Sequence, residues 1–473
     1  MAAQAQVDFG GTLRPQGRLD DATALQTHRG VLGTRAAAHL LRRAGFGGTP
    51  AQIRRYAAMD AHDAAASLLE FPSADSVAPP SPLDNLTGMS GRKAQPGAVR
   101  DSLAMLQLWW LNRMLTSPAP LQEKMALYFH GHFTSLATPR FPQITYDQNA
   151  LFRRWASGNL RELTREVSVN PAMLVYLNGA GSVVGAPNEN YARELMELFT
   201  LGVNHYTEND VRESARAWTG WRVNRPAASA TFDPQRHDYG RKTFLGQSGN
   251  FNGNDVVSII FGQPQCARFF ATSLLNFFVY NDPETALVDG VAALLREHDF
   301  ELTPVLGTIL RSNVFYSERA YRGLVKSPVE FVVGTHAALG LPAVDAVALP
   351  ALMQMGQRLY FPPNVAGWPG GSTWLTSGTM IARQNFLVRL LGSQTLASST
   401  WLGGVPVNAA SAASQLSETL LQGDVAPASL VEIERYLSGA GSAALASLSA
   451  ENYGERVTGA VYLAMATPAY QLN

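Results

Sequence analysis

Three carboxylates, Glu189, Glu194 and Glu197, fall within the stretch NENYARELMELFTLG that runs from Asn188 to Gly202. Neighbouring carboxylates can move protons in general acid–base catalysis, or hold hard and borderline metals such as calcium, zinc or iron. Read at the helical period of about 100° per residue, Leu198, Tyr191, Leu195, Phe199, Ala192 and Met196 fill one continuous arc. Glu189, Thr200, Arg193, Glu197, Asn190, Leu201 and Glu194 fill the other. Arg193 stands four residues from both Glu189 and Glu197, the spacing of helix-stabilising ion pairs, so these two acids have an ordinary explanation. Glu194 sits at the edge of the polar arc beside Tyr191 and Leu198, where partial desolvation raises a carboxyl pKa.

Histidines and further acids lie in neighbouring segments. LYFHGHFTS places His130 and His132 two apart, which a continuous helix points to different sides and a helix end broken at Gly131 brings together. In HYTENDVRESARAW, Thr207 and Asp210 have the spacing of a helix cap and its returning acid, and Glu213 and Arg216 that of an ion pair, alone or in a network with Arg212. RHDYGRK sets His237 and Asp238 on a loop, where packing explains polar residues less easily. The expected catalytic set is therefore Glu194, Glu197, His237 and Asp238. The expected metal ligands, for a divalent ion, are His130, His132, Glu194 and His237. Two carboxylates on one helical turn cannot straddle a scissile glycosidic bond, so a glycosidase would need Asp238 or Glu213 as the second acid. That objection favours a metal site.

LYFPPNVAGWPGGSTWLTSGTMIARQNF holds Trp368 and Trp374 on a Gly- and Pro-rich backbone, an arrangement suited either to stacking on sugar rings or to plugging a helical array. Trp218 and Trp221 in ARAWTGW permit the same two readings. Asn364, Trp368, Trp374, Trp221 and Arg383 are the expected substrate-binding residues, with Arg383 able to meet an anionic group or cap carbonyls.

Helices must position these groups. Amphipathic segments dominate the chain, and TRAAAHLLRRAGFGGTPAQIRRYAAM reads as an N-capped helix ending near Gly45, followed by a helix capped by Thr49 with Pro50 in its first position. TFDPQRHDYGRKTFLG is the main strand-like stretch and could form one short hairpin flanked by Phe232 and Phe244. The expected fold is mostly α, a multi-helix array with long Gly/Pro-rich loops and at most a short β-hairpin. Residues 1–33 read as an extended arm, 34–395 as the main helical domain with a long loop or linker at 71–97, and 396–473 as a C-terminal helical segment packing on it.

Composition narrows the function classes. Of 473 residues, 46% are apolar and 16% charged, and 37 Lys and Arg balance 37 Asp and Glu, so no global field steers the chain to nucleic acid. The single cysteine, Cys266, permits no intrachain disulfide and reads as a buried thiol. No apolar run approaches the roughly 20 residues of a membrane span. HExxH, GxSxG and phosphate-cradling glycine motifs are missing from the sequence. The polar, small-residue N-terminus resembles the region after a signal cleavage site, which gives an expectation of a periplasmic or secreted protein.

LLRRAGFGGTP, FHGHF, NENYARELMELFTLG, YTENDVRESARAWTGW, HDYGRKTFLG, VKSPVEFVVG and PPNVAGWPGG with WLTSGTMIARQNF occur in order from about Leu40 to Phe386. Together they resemble the bacterial domain-of-unknown-function 1800 family. The resemblance implies a mostly helical, exported protein often encoded beside a domain-of-unknown-function 1501 protein that is similar to phosphatases and sulfatases. It implies no reaction. It places His130, His132, Asn190, Arg193, Glu194, Glu197, Glu213, Arg216, His237, Asp238, Lys242, Asn364 and Trp368 at motif positions.

Three functions are compatible with these residues. The first is a metal-dependent or hydrolytic enzyme acting on a polymeric or glycan-like substrate. The second is a non-catalytic glycan-binding or assembly protein that partners the 1501-type neighbour. A metal-dependent oxidoreductase is the third, and rests on the His130–His132 pair alone.

Overall fold

Helical periodicity decides most of the backbone. The computed structural model describes residues 23–73, 77–78, 80, 96–138, 141–393, 408–439 and 453–473. Among them the chain forms twenty α-helices and two small antiparallel sheets, so the fold is mostly α. Most of the arm expected at 1–33 and of the loop expected at 71–97 lies outside the described residues. Among the described residues no helix is long and apolar enough to cross a membrane.

Helix starts follow the capping residues. Thr49 accepts a hydrogen bond from the Gln52 N–H while the Gln52 side chain answers the Thr49 N–H, and Pro50 opens the helix Pro50–Ala57. The same reciprocal box joins Thr207 to Asp210, Asn252 to Asp255 and Ser327 to Glu330. The first helix differs from expectation: Gly33–Arg43 begins after Leu32, with no side-chain cap.

The helices pack as two compact units. One is built from the described residues of Met1–Ala64, Arg311–Gln357 and Gly370–Asn473, the other from those of Ala65–Leu310 and Arg358–Pro369. Each unit collects segments distant in sequence, a division that differs from the linear blocks 34–395 and 396–473. In the first unit, Gly33–Arg43 packs on Pro50–Ala57, and Ser377–Ser393 packs on both Ala348–Gln354 and Tyr453–Ala466. Leu40, Phe331, Leu387 and Val461 are fully buried there.

In the second unit, Pro120–His132 packs against Pro142–Arg154 and Pro96–Thr116. At their junction the fully buried Glu123 accepts hydrogen bonds from Arg153 Nε and Nη2 at 2.8 and 2.9 Å, Arg113 Nη2 at 3.0 Å and Trp110 Nε1 at 3.0 Å. Several donors on one carboxylate make a buried charge tolerable. Phe129, Phe133, Phe199 and Phe270 form the neighbouring aromatic core.

There are two hairpins, not one. β1 (Trp221–Asn224) pairs with β2 (Ser229–Phe232), and β3 (Lys242–Phe244) with β4 (Gln247–Gly249). Phe232 and Phe244 therefore belong to different sheets. Pro234 cannot continue a strand ladder, and Asp233 caps a short 3₁₀ turn at Pro234–Arg236 by accepting the Gln235 N–H at 3.1 Å. His237 and Asp238 are thus held between the hairpins.

Candidate carboxylate and histidine sites

The acidic segment is not a uniform α-helix. Asn188 caps it by accepting the Asn190 N–H at 2.9 Å, Glu189–Glu194 is α-helical, and Leu195–Thr200 is a π turn, seen in the Leu201 N–H bond to the Met196 carbonyl at 2.8 Å. A π turn carries more residues per revolution and recurs at functional sites. It also takes Glu197 off the Arg193 row, which corrects the expected Arg193–Glu197 pair. Arg193 instead grips Glu208 at 2.7 and 2.8 Å and stands 3.6 Å from Glu189. Glu197 accepts the hydroxyl hydrogen of Tyr206.

Glu194, at the α-to-π junction, is half-buried and accepts no hydrogen bond from a described residue. Burial raises its pKa, the Glu197 carboxylate raises it further, and Arg193 partly opposes both. Tyr176, the last residue of the helix Pro171–Tyr176, is beside it: burial and the Glu194 charge push the Tyr176 phenol up. The Tyr206 phenol is pushed up to about 12 by burial and by its bond to Glu197. A carboxyl with a raised pKa beside a second, hydrogen-bonded carboxyl is an arrangement able to exchange a proton. Neither tyrosine was expected: Tyr206 opens the YTENDVRESARAWTGW motif without a role attached to it, and Tyr176 lies in none of the motifs. Tyr206 follows His205 in the chain, and Tyr176 approaches only through the packing of its helix.

His237 is buried, with Nδ1 2.8 Å from the Thr219 carbonyl oxygen. That oxygen can only accept, so Nδ1 carries a proton, and whenever the ring is neutral Nε2 is the acceptor. Nε2 makes no hydrogen bond to a described residue and is not sealed from solvent. Asp238, the expected catalytic partner, is committed elsewhere. Its oxygens accept Arg216 Nε at 2.8 Å and Nη2 at 3.2 Å, which hold the carboxyl below its usual range. Arg216 Nη1 takes both oxygens of Glu213 at 3.0 Å, so the third member of the Glu213–Arg216 network is Asp238, while Arg212 turns to Asn209. No hydrogen bond or ion pair joins His237 or Asp238 to Glu194 among the described residues.

The expected metal set does not assemble: among the described residues, no three His, Cys, Asp or Glu side chains come together in a group able to hold an ion. The reason is visible at each histidine. His130 Nε2 accepts the Tyr360 N–H at 3.0 Å, and its ring packs against Trp110, Tyr360 and Trp368. His132 Nε2 donates to the Phe199 carbonyl at 2.8 Å, at the end of the π turn. Both lie on the continuous helix Pro120–His132 and point apart, with burial pushing them down to about 3 and about 4.

The Gly/Pro-rich loop is anchored by the same helix. Gly367 has a φ of 80°, and a Cβ there would stand 2.6 Å from the Gly131 carbonyl oxygen. Trp368, half-buried, rests on His130 with ring centroids 5.3 Å apart, the plugging arrangement. Asn364 uses Oδ1 to accept the Ala366 N–H at 2.9 Å and so shapes the turn. Trp374 is half-buried in the other unit, and Trp221 sits on β1 with its ring against Phe232. Arg383 corrects its expected role: it is fully buried, donating to the Lys326 carbonyl at 2.7 Å and Gln471 Oε1 at 3.2 Å, with its guanidinium over Phe331. It cannot meet a surface ligand.

No curated protein and no solved structure matches the chain. The family model described as protein of unknown function (DUF1800) matches residues 39–472, nearly the whole sequence, and the chain belongs to that family.

Proposed function

We propose that the protein is a hydrolytic enzyme acting on a polymeric, glycan-like substrate, with Glu194 as its proton donor. The observation that carries this reading is the Glu194 carboxyl itself, half-buried, without a hydrogen-bond donor and with a pKa raised by burial and by Glu197. A structural carboxylate would normally be paired. In the proposed reaction Glu194 gives its proton to the leaving oxygen as the C–O bond breaks, and the water that takes the leaving group's place returns a proton to it. Glu197, held by Tyr206, stands next to Glu194 and is one cause of its raised pKa. Tyr176 and Tyr206 supply what sugars bind well, apolar ring surface with a hydroxyl at its edge. Because Glu194 and Glu197 share one segment, they act on one side of the bond, and the second carboxylate across it would be Glu213 or Asp238, both held by Arg216.

The test is release of reducing ends from cellohexaose, chitohexaose and maltohexaose by the full chain. Glu194→Gln is expected to lower the rate about 100-fold or more, as loss of a general acid does. An unchanged rate in that variant, or no release from any of the three by the unaltered protein, overturns the reading.

A second reading, a glycan-binding protein without catalysis, is favoured by the partly exposed rings of Phe232 and Tyr239 against His237. Binding of the same oligosaccharides without reducing-end release would decide for it.

A further inference from the structure

Two partly exposed aromatic rings contact the His237 imidazole, Phe232 at the end of β2 and Tyr239 on the loop. Phe232 is 42% exposed and Tyr239 56%, values unusual for residues whose rings are in contact with a buried histidine. The Phe232 and His237 centroids are 5.3 Å apart at 61°, and those of His237 and Tyr239 are 4.7 Å apart at 80°, both edge-on. Trp221 backs Phe232 at 5.5 Å. His237 Nε2 makes no hydrogen bond to a described residue, and in the neutral ring it is the acceptor, because Nδ1 donates to the Thr219 carbonyl.

This arrangement is held from behind. Gly220 has a φ of 102°, and a Cβ there would stand 2.9 Å from Phe232 Cε2 and 3.3 Å from His237 Cβ, so the strand and the loop approach this closely only across a glycine. The Thr219 hydroxyl accepts the Asp238 N–H at 2.8 Å, the Val184 N–H donates to the Arg236 carbonyl at 2.8 Å, and the Arg216–Asp238 pair pins the far side of the loop. The imidazole is therefore fixed in orientation and tautomer while the flanking rings stay open to solvent.

We infer that Phe232, His237 and Tyr239 form a binding seat for a neutral hydroxylated ring, a pyranose of an oligosaccharide, whose C–H face lies on the aromatic rings while one hydroxyl donates to His237 Nε2. Aromatic rings recognise the apolar face of such a ring, and a single oriented acceptor selects a hydroxyl over a purely apolar ligand. The seat stands independently of any catalytic role for Glu194.

Isothermal titration of the full chain with cellohexaose, chitohexaose and maltohexaose tests it. At least one is expected to bind. Phe232→Ala and Tyr239→Ala are each expected to weaken that binding about tenfold, the equivalent of one lost aromatic contact, with unchanged thermal melting because both rings are exposed. His237→Phe, which keeps a ring but removes the acceptor, is expected to weaken it as well. The Phe232→Ala and Tyr239→Ala affinities read the seat and the Glu194→Gln rate reads the catalytic proposal, so the two fail separately. Absence of binding to all three sugars, or full-strength binding in both Phe232→Ala and Tyr239→Ala, overturns the seat.

Discussion

Arg216 holds Asp238 through two parallel hydrogen bonds, Nε to Oδ2 at 2.8 Å and Nη2 to Oδ1 at 3.2 Å, and with its remaining nitrogen clamps Glu213. One guanidinium thus ties the helix Glu208–Ala217 to the loop that orients His237. Arg216→Lys keeps the charge and loses the fork. It is expected to cost about 1–2 kcal/mol in urea unfolding, less than a broken buried pair because the charge is kept and Arg216 is a quarter exposed.

The two kinds of carboxylate predict opposite responses to pH. Asp238 has its pKa lowered by the Arg216 hydrogen bond, so its contribution to stability is present above the unfolded value of about 3.9 and is lost as pH falls through the lower folded value. Melting temperatures of the unaltered chain and Asp238→Asn should differ by a constant amount above about pH 5 and converge in acid. Glu194 has its pKa raised, so its ionisation opposes folding as pH rises past the unfolded value of about 4.3. Glu194→Gln should melt slightly higher than the unaltered chain at neutral pH, with the difference closing below about pH 4; a small effect is expected, since the carboxyl is half exposed.

Glu197 should be visible in the rate profile. Its charge is the second cause of the raised Glu194 pKa. A proton donor works below its pKa, so Glu197→Gln is expected to move the alkaline limb of reducing-end release to lower pH. A limb that stays in place or moves upward would break the proposed coupling.

Gly367→Ala places a methyl group 2.6 Å from the Gly131 carbonyl oxygen at a φ of 80°. Strain of this kind costs about 1–3 kcal/mol before the clash is counted. The urea midpoint is expected to fall by at least that equivalent, together with the loss of the Trp368–His130 contact from tryptophan fluorescence.

Arg383→Ala should fail as a folding variant and not as a binding one. Truncating a fully buried side chain and leaving the Lys326 and Gln471 oxygens unanswered is expected to cost about 2–4 kcal/mol. Any oligosaccharide binding by the folded fraction should be unchanged.

The sequence alone determined what depends on neighbours within one turn of chain. The capping boxes at Thr49 and Thr207, the Glu213–Arg216 pair and the mostly helical fold were all legible because their partners lie three or four residues apart and hydrophobic period reports local geometry. The position of Glu194 at the edge of an apolar arc belongs to the same class, and burial does raise its pKa. Tertiary structure decided the rest. The π turn depends on how the segment packs, and it sent Glu197 to Tyr206 and Arg193 to Glu208. His130 and His132 look like ligands in sequence, but the Nε2 atom of each is taken by the backbone of Tyr360 and Phe199 respectively. Arg383 reads as a free cation until residues 326 and 471 enclose it, and Asp238 reads as a catalyst until Arg216 reaches it. A polar side chain's role is set by which partners reach it first. For these residues the partners come from segments far along the chain, where no periodicity announces them.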